Sequence, residues 1–199
     1  FFMKKIRNKK IFSIINIFFI FLGLEVSLRI YNPLPSRLKG NKVNIPINQR
    51  YIFNNKKITK LDPKIIHEKN SLGFRGEEPS TKIDKGLSVV VVGGSNVECA
   101  YVSDKDTWPD LLKEKLKVNY KDIWLNNAGL DGHTTFGHKI LLENHILKLK
   151  PKIIIFLVGI NDVAINTLNN FDKKQLHSVY FSWQDFLKKN SEVVSLLLN

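Results

Sequence analysis

The sequence predicts an α/β fold in which a parallel sheet carries helices on its faces. Three observations carry this. Short apolar runs recur at 87–92 (LSVVVV), 122–126 (DIWLN) and 153–158 (IIIFLV). Stretches of helical period separate them. A polar, glycine-containing loop follows each run: GGSN, NAGLDGHTT and GIND. Strand–helix–strand–helix–strand is the order of a parallel sheet with crossover helices.

The chain opens with a basic tail, residues 1–10, containing Lys4, Lys5, Arg7, Lys9 and Lys10. An apolar run follows from Ile11 to Leu24, and Val26, Leu28 and Ile30 extend it past Glu25 and Arg29. Residues 11–30 thus reach the length of a transmembrane helix, about 20 residues. Glu25 and Arg29 fall near the far interface, where long charged side chains reach water. The preceding cations predict a cytoplasmic amino terminus and an extracytoplasmic domain. A cleavable signal peptide is the second reading, although no small-x-small site follows the run. No cysteine follows it closely, which excludes a lipoprotein. Residues 31–64 are rich in Pro, Asn and Lys and predict a stalk or peripheral strands.

The domain from 65 to 199 begins its sheet at 87–92, where continuous β-branched residues predict a strand covered on both faces. In DTWPDLLKEKL, Thr107 suits an N-cap, Pro109 the first turn, and Asp110 a weak capping box. Leu111, Leu112 and Leu116 are the expected buried stripe. The helix near 134–149 is closed by Pro151.

Charge is uneven. The net charge is +13, but residues 1–60 hold 13 Lys/Arg against the single acid Glu25, while the remaining 139 residues are nearly neutral. A nucleic-acid footprint would leave a basic surplus on the folded domain, so the distribution argues against that partner. The single Cys99 permits no intramolecular disulfide.

The strand-end loops limit the chemistry. Gly93-Gly94-Ser95 lacks the G-x-G-x-x-G spacing of a dinucleotide site and the lysine of a phosphate loop. Val97 stands where a nucleophile elbow needs its second glycine. His133, His138 and His145 lack the i, i+4 spacing of a helical metal pair and read as helix-surface residues. No cofactor or metal is implied. What remains is a strand-end serine, a glycine loop and an Asn-Asp pair. A serine nucleophile needs donors for the developing oxyanion, and a serine N–H, a glycine N–H and an asparagine amide supply them.

In these blocks the chain resembles the SGNH (GDSL) hydrolases, serine esterases on a flavodoxin-like three-layer sheet. The first block reads Gly93-Gly94-Ser95, the second places its glycine at Gly132, and the third reads Gly159-Ile160-Asn161-Asp162. NSLGFRG (70–76), DTWPDLL (106–112) and the Glu25/Arg29 pair are similar to the membrane-anchored bacterial branch. The resemblance covers about residues 65–165 plus the anchor. It implies Ser95 as nucleophile, with the Ser95 N–H, Gly132 N–H and Asn161 amide as the oxyanion hole. Gly93, Gly94, Gly159 and Asp162 would support the loops. The implied substrate is an acyl ester on an envelope glycan or lipid. A non-catalytic binding module and an O-acyltransferase are the alternatives on the same fold.

Two departures stand out. Gly94 replaces the aspartate usual in the first block. No Asp-x-x-His occurs in the chain, and Asp172 and His177 are five apart. The apolar end SEVVSLLLN and the three clear strands, against about five in the resembled fold, carry the expectation of a carboxyl-terminally truncated chain whose base lies downstream.

Overall fold

A computed structural model of the chain describes residues 2–31, 37–39, 42–56, 58–80, 82–163 and 183–198. It is a mixed α/β structure with an amino-terminal apolar helix. Helix α1 spans Phe2–Ile30, so the basic tail is itself helical. Its stretch Lys10–Ile30 is long and apolar enough to cross a membrane, with none of it buried in the protein. Phe12, Ile14, Ile17 and Ile20 all present their side chains outward. A protein core does not cover them.

The segment expected as stalk or peripheral strands forms strands. β1 (Arg37–Lys39) pairs antiparallel with β2 (Lys42–Asn44). β3 (Gln49–Asn54) pairs antiparallel with β4 (Lys64–Lys69), joining the stalk region to the domain.

The central sheet has the order β5–β7–β6–β8. β5 is Arg75–Gly76, and β6 (Leu87–Gly93), β7 (Ile123–Gly129) and β8 (Ile153–Leu157) are the three runs read from the sequence. β6 pairs parallel with both β7 and β8. The expectation of a purely parallel sheet is corrected by β5, which runs antiparallel along β7. Its cause is the turn at Gly73 (φ +76°), which sends the chain back just before Arg75. The Asn70 side-chain oxygen accepts the Leu72 and Phe74 N–H groups at 3.0 Å each and holds that turn.

Side chains alternate across a strand, and the four valines of β6 divide accordingly. Val89 and Val91 pack with Ile123, Leu125, Trp108, Leu112 and Leu116 on one face. Val90 and Val92 pack with Trp124, Ile140, Leu141 and Ile146 on the other. The first face is covered by α4 (Trp108–Leu116), the crossover from β6 to β7. The second is covered by α5 (Thr135–Leu141), the π-turn Leu142–Ile146 and α6 (Leu147–Leu149), the crossover to β8. Because β7 and β8 flank β6 on opposite sides, the chain reverses its progression across the sheet at β6. Crevices at such switch points, outside the carboxyl ends of the strands, are where open α/β sheets bind ligands.

Helix α4 starts as expected, with Thr107 Oγ1 accepting the Asp110 N–H at 3.4 Å. Its buried stripe is corrected: Leu111 is 49% exposed, and Trp108 joins Leu112 and Leu116 against the sheet. The sheet meets the side of the helix that carries Trp108, Leu112 and Leu116, which turns Leu111 outward. Lys113 is buried between them and the surface, its ammonium 2.5 Å from Asp110.

The carboxyl end packs on α1. Helix α8 is Trp183–Asn190 in chain order after α2 (Lys82–Lys85), α3 (Ser95–Glu98) and α7 (Ile160–Val163), and α9 is Glu192–Leu198. The Glu25 carboxylate accepts the Ser191 hydroxyl at 2.8 Å and the Glu192 and Val193 N–H groups at 3.0 and 3.2 Å. Arg29 bonds Glu25 at 2.9 Å and donates to the Asn190 carbonyl at 2.8 Å. Together they satisfy backbone groups that helix ends leave unpaired.

Candidate active site at the strand ends

Two glycines at adjacent strand ends make the site possible. Gly93 and Gly129 stand opposite each other in the parallel register of β6 and β7. A Cβ on Gly93 would strike the Val97 side chain and the Leu157 carbonyl, and one on Gly129 would strike the Glu98 backbone. With no side chain at either place, the short helix α3 rests directly on the sheet edge. Val97 points down and is fully buried, while Ser95 and Asn96 face outward.

Ser95 is the first residue of α3, after Gly94. The Gly94 carbonyl accepts the N–H groups of Val97 and Glu98 at 3.0 and 2.9 Å. Helix geometry leaves the Ser95 N–H without an intrahelical acceptor. The buttress behind α3 is polar. The Asn127 amide donates to the Val97 carbonyl at 2.7 Å, and its oxygen accepts the Gly129 N–H at 2.9 Å. Arg75, almost fully buried, donates to the carbonyls of Glu98, Cys99 (3.1 Å) and Val102 (2.9 Å) and pairs with Asp104 at 2.6 Å. The segment NSLGFRG therefore secures the carboxyl end of α3 through its arginine.

The second loop reaches the same place. The Leu130 N–H bonds the Gly93 carbonyl at 2.9 Å. Gly132 follows at φ +72°, exposed, with open space where a Cβ would point. The third loop arrives from β8 through Gly159, φ +104°. Asn161 donates its amide to the His133 carbonyl at 2.9 Å. A Cβ on Gly94 would lie 3.1 Å from that same amide nitrogen. The Asn161 amide thus touches the first block at Gly94 and the second at His133. The Asp162 carboxylate accepts the Thr135 N–H at 3.0 and 3.1 Å and the Thr135 hydroxyl at 2.6 Å. It caps the first turn of α5, where a negative charge is favoured, and is held away from reaction by those bonds.

The histidines are a correction. His133 and His138 are buried, not on a helix surface, because Gly137 leaves the His133 ring a place against α5. Their rings stand 6.3 Å apart. His138 lies beneath the strand ends near the Gly93 backbone, and neither ring nitrogen makes a hydrogen bond of normal geometry. Burial holds its pKa below the usual histidine value, with the His133 ring adding to the effect and the Gly93 backbone and Asp162 opposing it. Burial likewise depresses His67 and His145. A histidine kept neutral in the fold but protonated when unfolded stabilises the fold above its unfolded pKa, about 6.5. That stability falls as pH drops from there toward the folded value. Thermal melts should therefore lose stability between about pH 7 and pH 5, and His138→Leu should flatten that slope. An equal slope in the variant would refute this placement of His138. The spacing argument saw only that the three histidines do not form a helical metal pair. Among the described residues no cluster of three metal-ligating side chains occurs. Asp172 and His177 lie outside the described residues.

Sequence reasoning missed Gly129, Asn127 and Arg75. A glycine ending the second strand run, opposite the glycine ending the first, was the available signal. Compared with known proteins, the chain matches no family model and no curated sequence.

Proposed function

We propose that the chain is a membrane-anchored serine esterase of the SGNH type, with Ser95 as nucleophile, acting outside the cytoplasm on an acyl ester of an envelope glycan or lipid. The observation that carries this is the meeting of three strand-end loops. Asn161 contacts Gly94, the residue before Ser95, and bonds His133, the residue after Gly132. This brings the loops that carry Ser95, Gly132 and Asn161 to one edge of the sheet.

In this reading Ser95 Oγ attacks the ester carbonyl, and its proton passes to a histidine base as the resemblance implies. The carbonyl oxygen becomes an oxyanion and accepts from the Ser95 N–H, the Gly132 N–H and the second N–H of the Asn161 amide. Collapse expels the alcohol and leaves Ser95 acylated, and water then releases the acid. Fixed donors act strongly here because they need no reorganisation as charge develops. Gly94 is suited to its place, since a side chain there would crowd the Asn161 amide. The basic residues ahead of the apolar span orient the anchor with its amino terminus in the cytoplasm.

A fluorophosphonate probe tests the nucleophile. The full-length protein in detergent, carrying the downstream base that this reading calls for, should be labelled covalently, and Ser95→Ala should abolish labelling while Ser88→Ala, on β6, should not. Equal labelling of the protein and the Ser95→Ala variant would refute the assignment.

A further inference from the structure

One face of the β3–β4 hairpin carries a second polar cluster beside α3. In its register Gln49, Tyr51 and Phe53 stand opposite Lys69, His67 and Ile65. A pocket of about 220 Å³ lies over this face, lined in part by Tyr51, Phe53, His67, Lys69, Glu98 and Asp131. Glu98 is on α3, three residues from Ser95 and so on the same side of the helix. Its carboxylate pairs with the buried Lys69 at 3.2 Å and accepts the Asp131 N–H at 2.6 Å. Asp131 precedes Gly132, so the pocket borders both the nucleophile helix and the second loop. His67 is 4% exposed, and its Nε2 has no hydrogen-bond partner. Buried polar atoms are nearly always satisfied, and one that is not calls for a partner.

We propose that this pocket binds a neutral sugar residue of the glycan that carries the ester, an inference resting on the esterase reading of Ser95. The chemistry selects this class. Lys69 offers N–H donors, Glu98 and Asp131 offer acceptors, and the His67 Nε2 serves as either, depending on its tautomer. A hydroxyl both donates and accepts, so a sugar ring can satisfy such a mixed set. A hydrocarbon chain would satisfy none of it and would leave a buried ion pair against apolar surface. A phosphate would meet the two carboxylates and be repelled. The Tyr51 and Phe53 rings, 6.4 Å apart and 22° from parallel, both line the pocket and supply apolar aromatic surface for the C–H side of a sugar. Phe53 also packs edge-on against the His67 ring at 5.2 Å, which joins the aromatic wall to the polar one.

The test is binding of neutral tetrasaccharides to the detergent-solubilised protein by saturation-transfer NMR and calorimetry. The probes are chitotetraose, cellotetraose and maltotetraose, with dihexanoylphosphatidylglycerol as the lipid comparator. At least one tetrasaccharide should bind, and Tyr51→Ala, a half-buried position that tolerates truncation, should weaken it by about tenfold or more. His67→Asn should also weaken it. Ser95→Ala should bind as the parent does, because the pocket lies beside the nucleophile and not on it. Absence of binding by all three sugars, equal affinity in Tyr51→Ala, or binding of the lipid at this pocket instead would each overturn the proposal. Sugar binding that persists in a protein the fluorophosphonate never labels would leave the pocket standing and remove the esterase. Labelling without sugar binding would do the reverse.

Discussion

Asn161→Ala is expected to lower ester turnover by about a hundred- to a thousand-fold, the usual cost of losing one oxyanion donor. The amide has two N–H groups, and the structure uses one of them to hold the His133 carbonyl. That bond fixes the amide beside Gly94, so the second N–H is aimed without freedom to rotate away. Losing the structural bond costs only about 0.5–1.5 kcal/mol of stability. The two contributions therefore separate in experiment. Rates on p-nitrophenyl acetate report the catalytic loss, and a urea melt reports the structural one. Because the donor acts on charge that forms only in the transition state, kcat and kcat/KM should fall together. A kcat within about twofold of the parent, with a folded variant, would remove Asn161 from the oxyanion hole.

The second large effect is on stability. Arg75→Met should destabilise the fold by about 3–5 kcal/mol, the range for breaking a buried ion pair by removing one partner. The guanidinium is among the most buried charged groups described, and it serves Asp104 together with three backbone carbonyls after Ser95. Methionine fills the volume but donates nothing, so the carbonyls and the carboxylate lose their partner. A urea titration measures the loss, and a change below about 1 kcal/mol would place Arg75 with ordinary surface pairs. Labelling of Ser95 should fall as well, since α3 depends on this anchor for its position.

Much of the scaffold was legible as pattern. A continuous β-branched run gave β6, because a strand covered on both faces cannot alternate in polarity, and shorter apolar runs marked β7 and the more exposed β8. Thr107 and Pro109 marked the start of α4 through capping chemistry that acts within one turn. The apolar helix to Ile30 was legible from length and flanking charge. The strand β5 was not, since two residues have no period and exist only because Gly73 turns the chain beside β7. Leu111 was misread for a related reason: the sheet, and not the helix alone, decides which side of α4 is inward.

The candidate site divides in the same way. Strand-end loops in a parallel sheet open on one edge, so the three loops could be picked out from the sequence, and the resemblance named Ser95, Gly132 and Asn161 within them. That Asn161 reaches the Gly94 and His133 segments could not be read there. It depends on two glycines, 93 and 129, in register on neighbouring strands, which let α3 settle onto the sheet edge. The burial of His133 and His138 and the sugar-sized pocket on the β3–β4 hairpin belong to tertiary structure entirely. The sequence alone determined the apolar amino-terminal helix, the strand runs and the residue types at their ends, because local sterics and hydrophobic period act over a few residues. Only the tertiary structure decided which side chains face each other, because contacts between loops roughly 30 to 70 residues apart are set by strand register and helix packing.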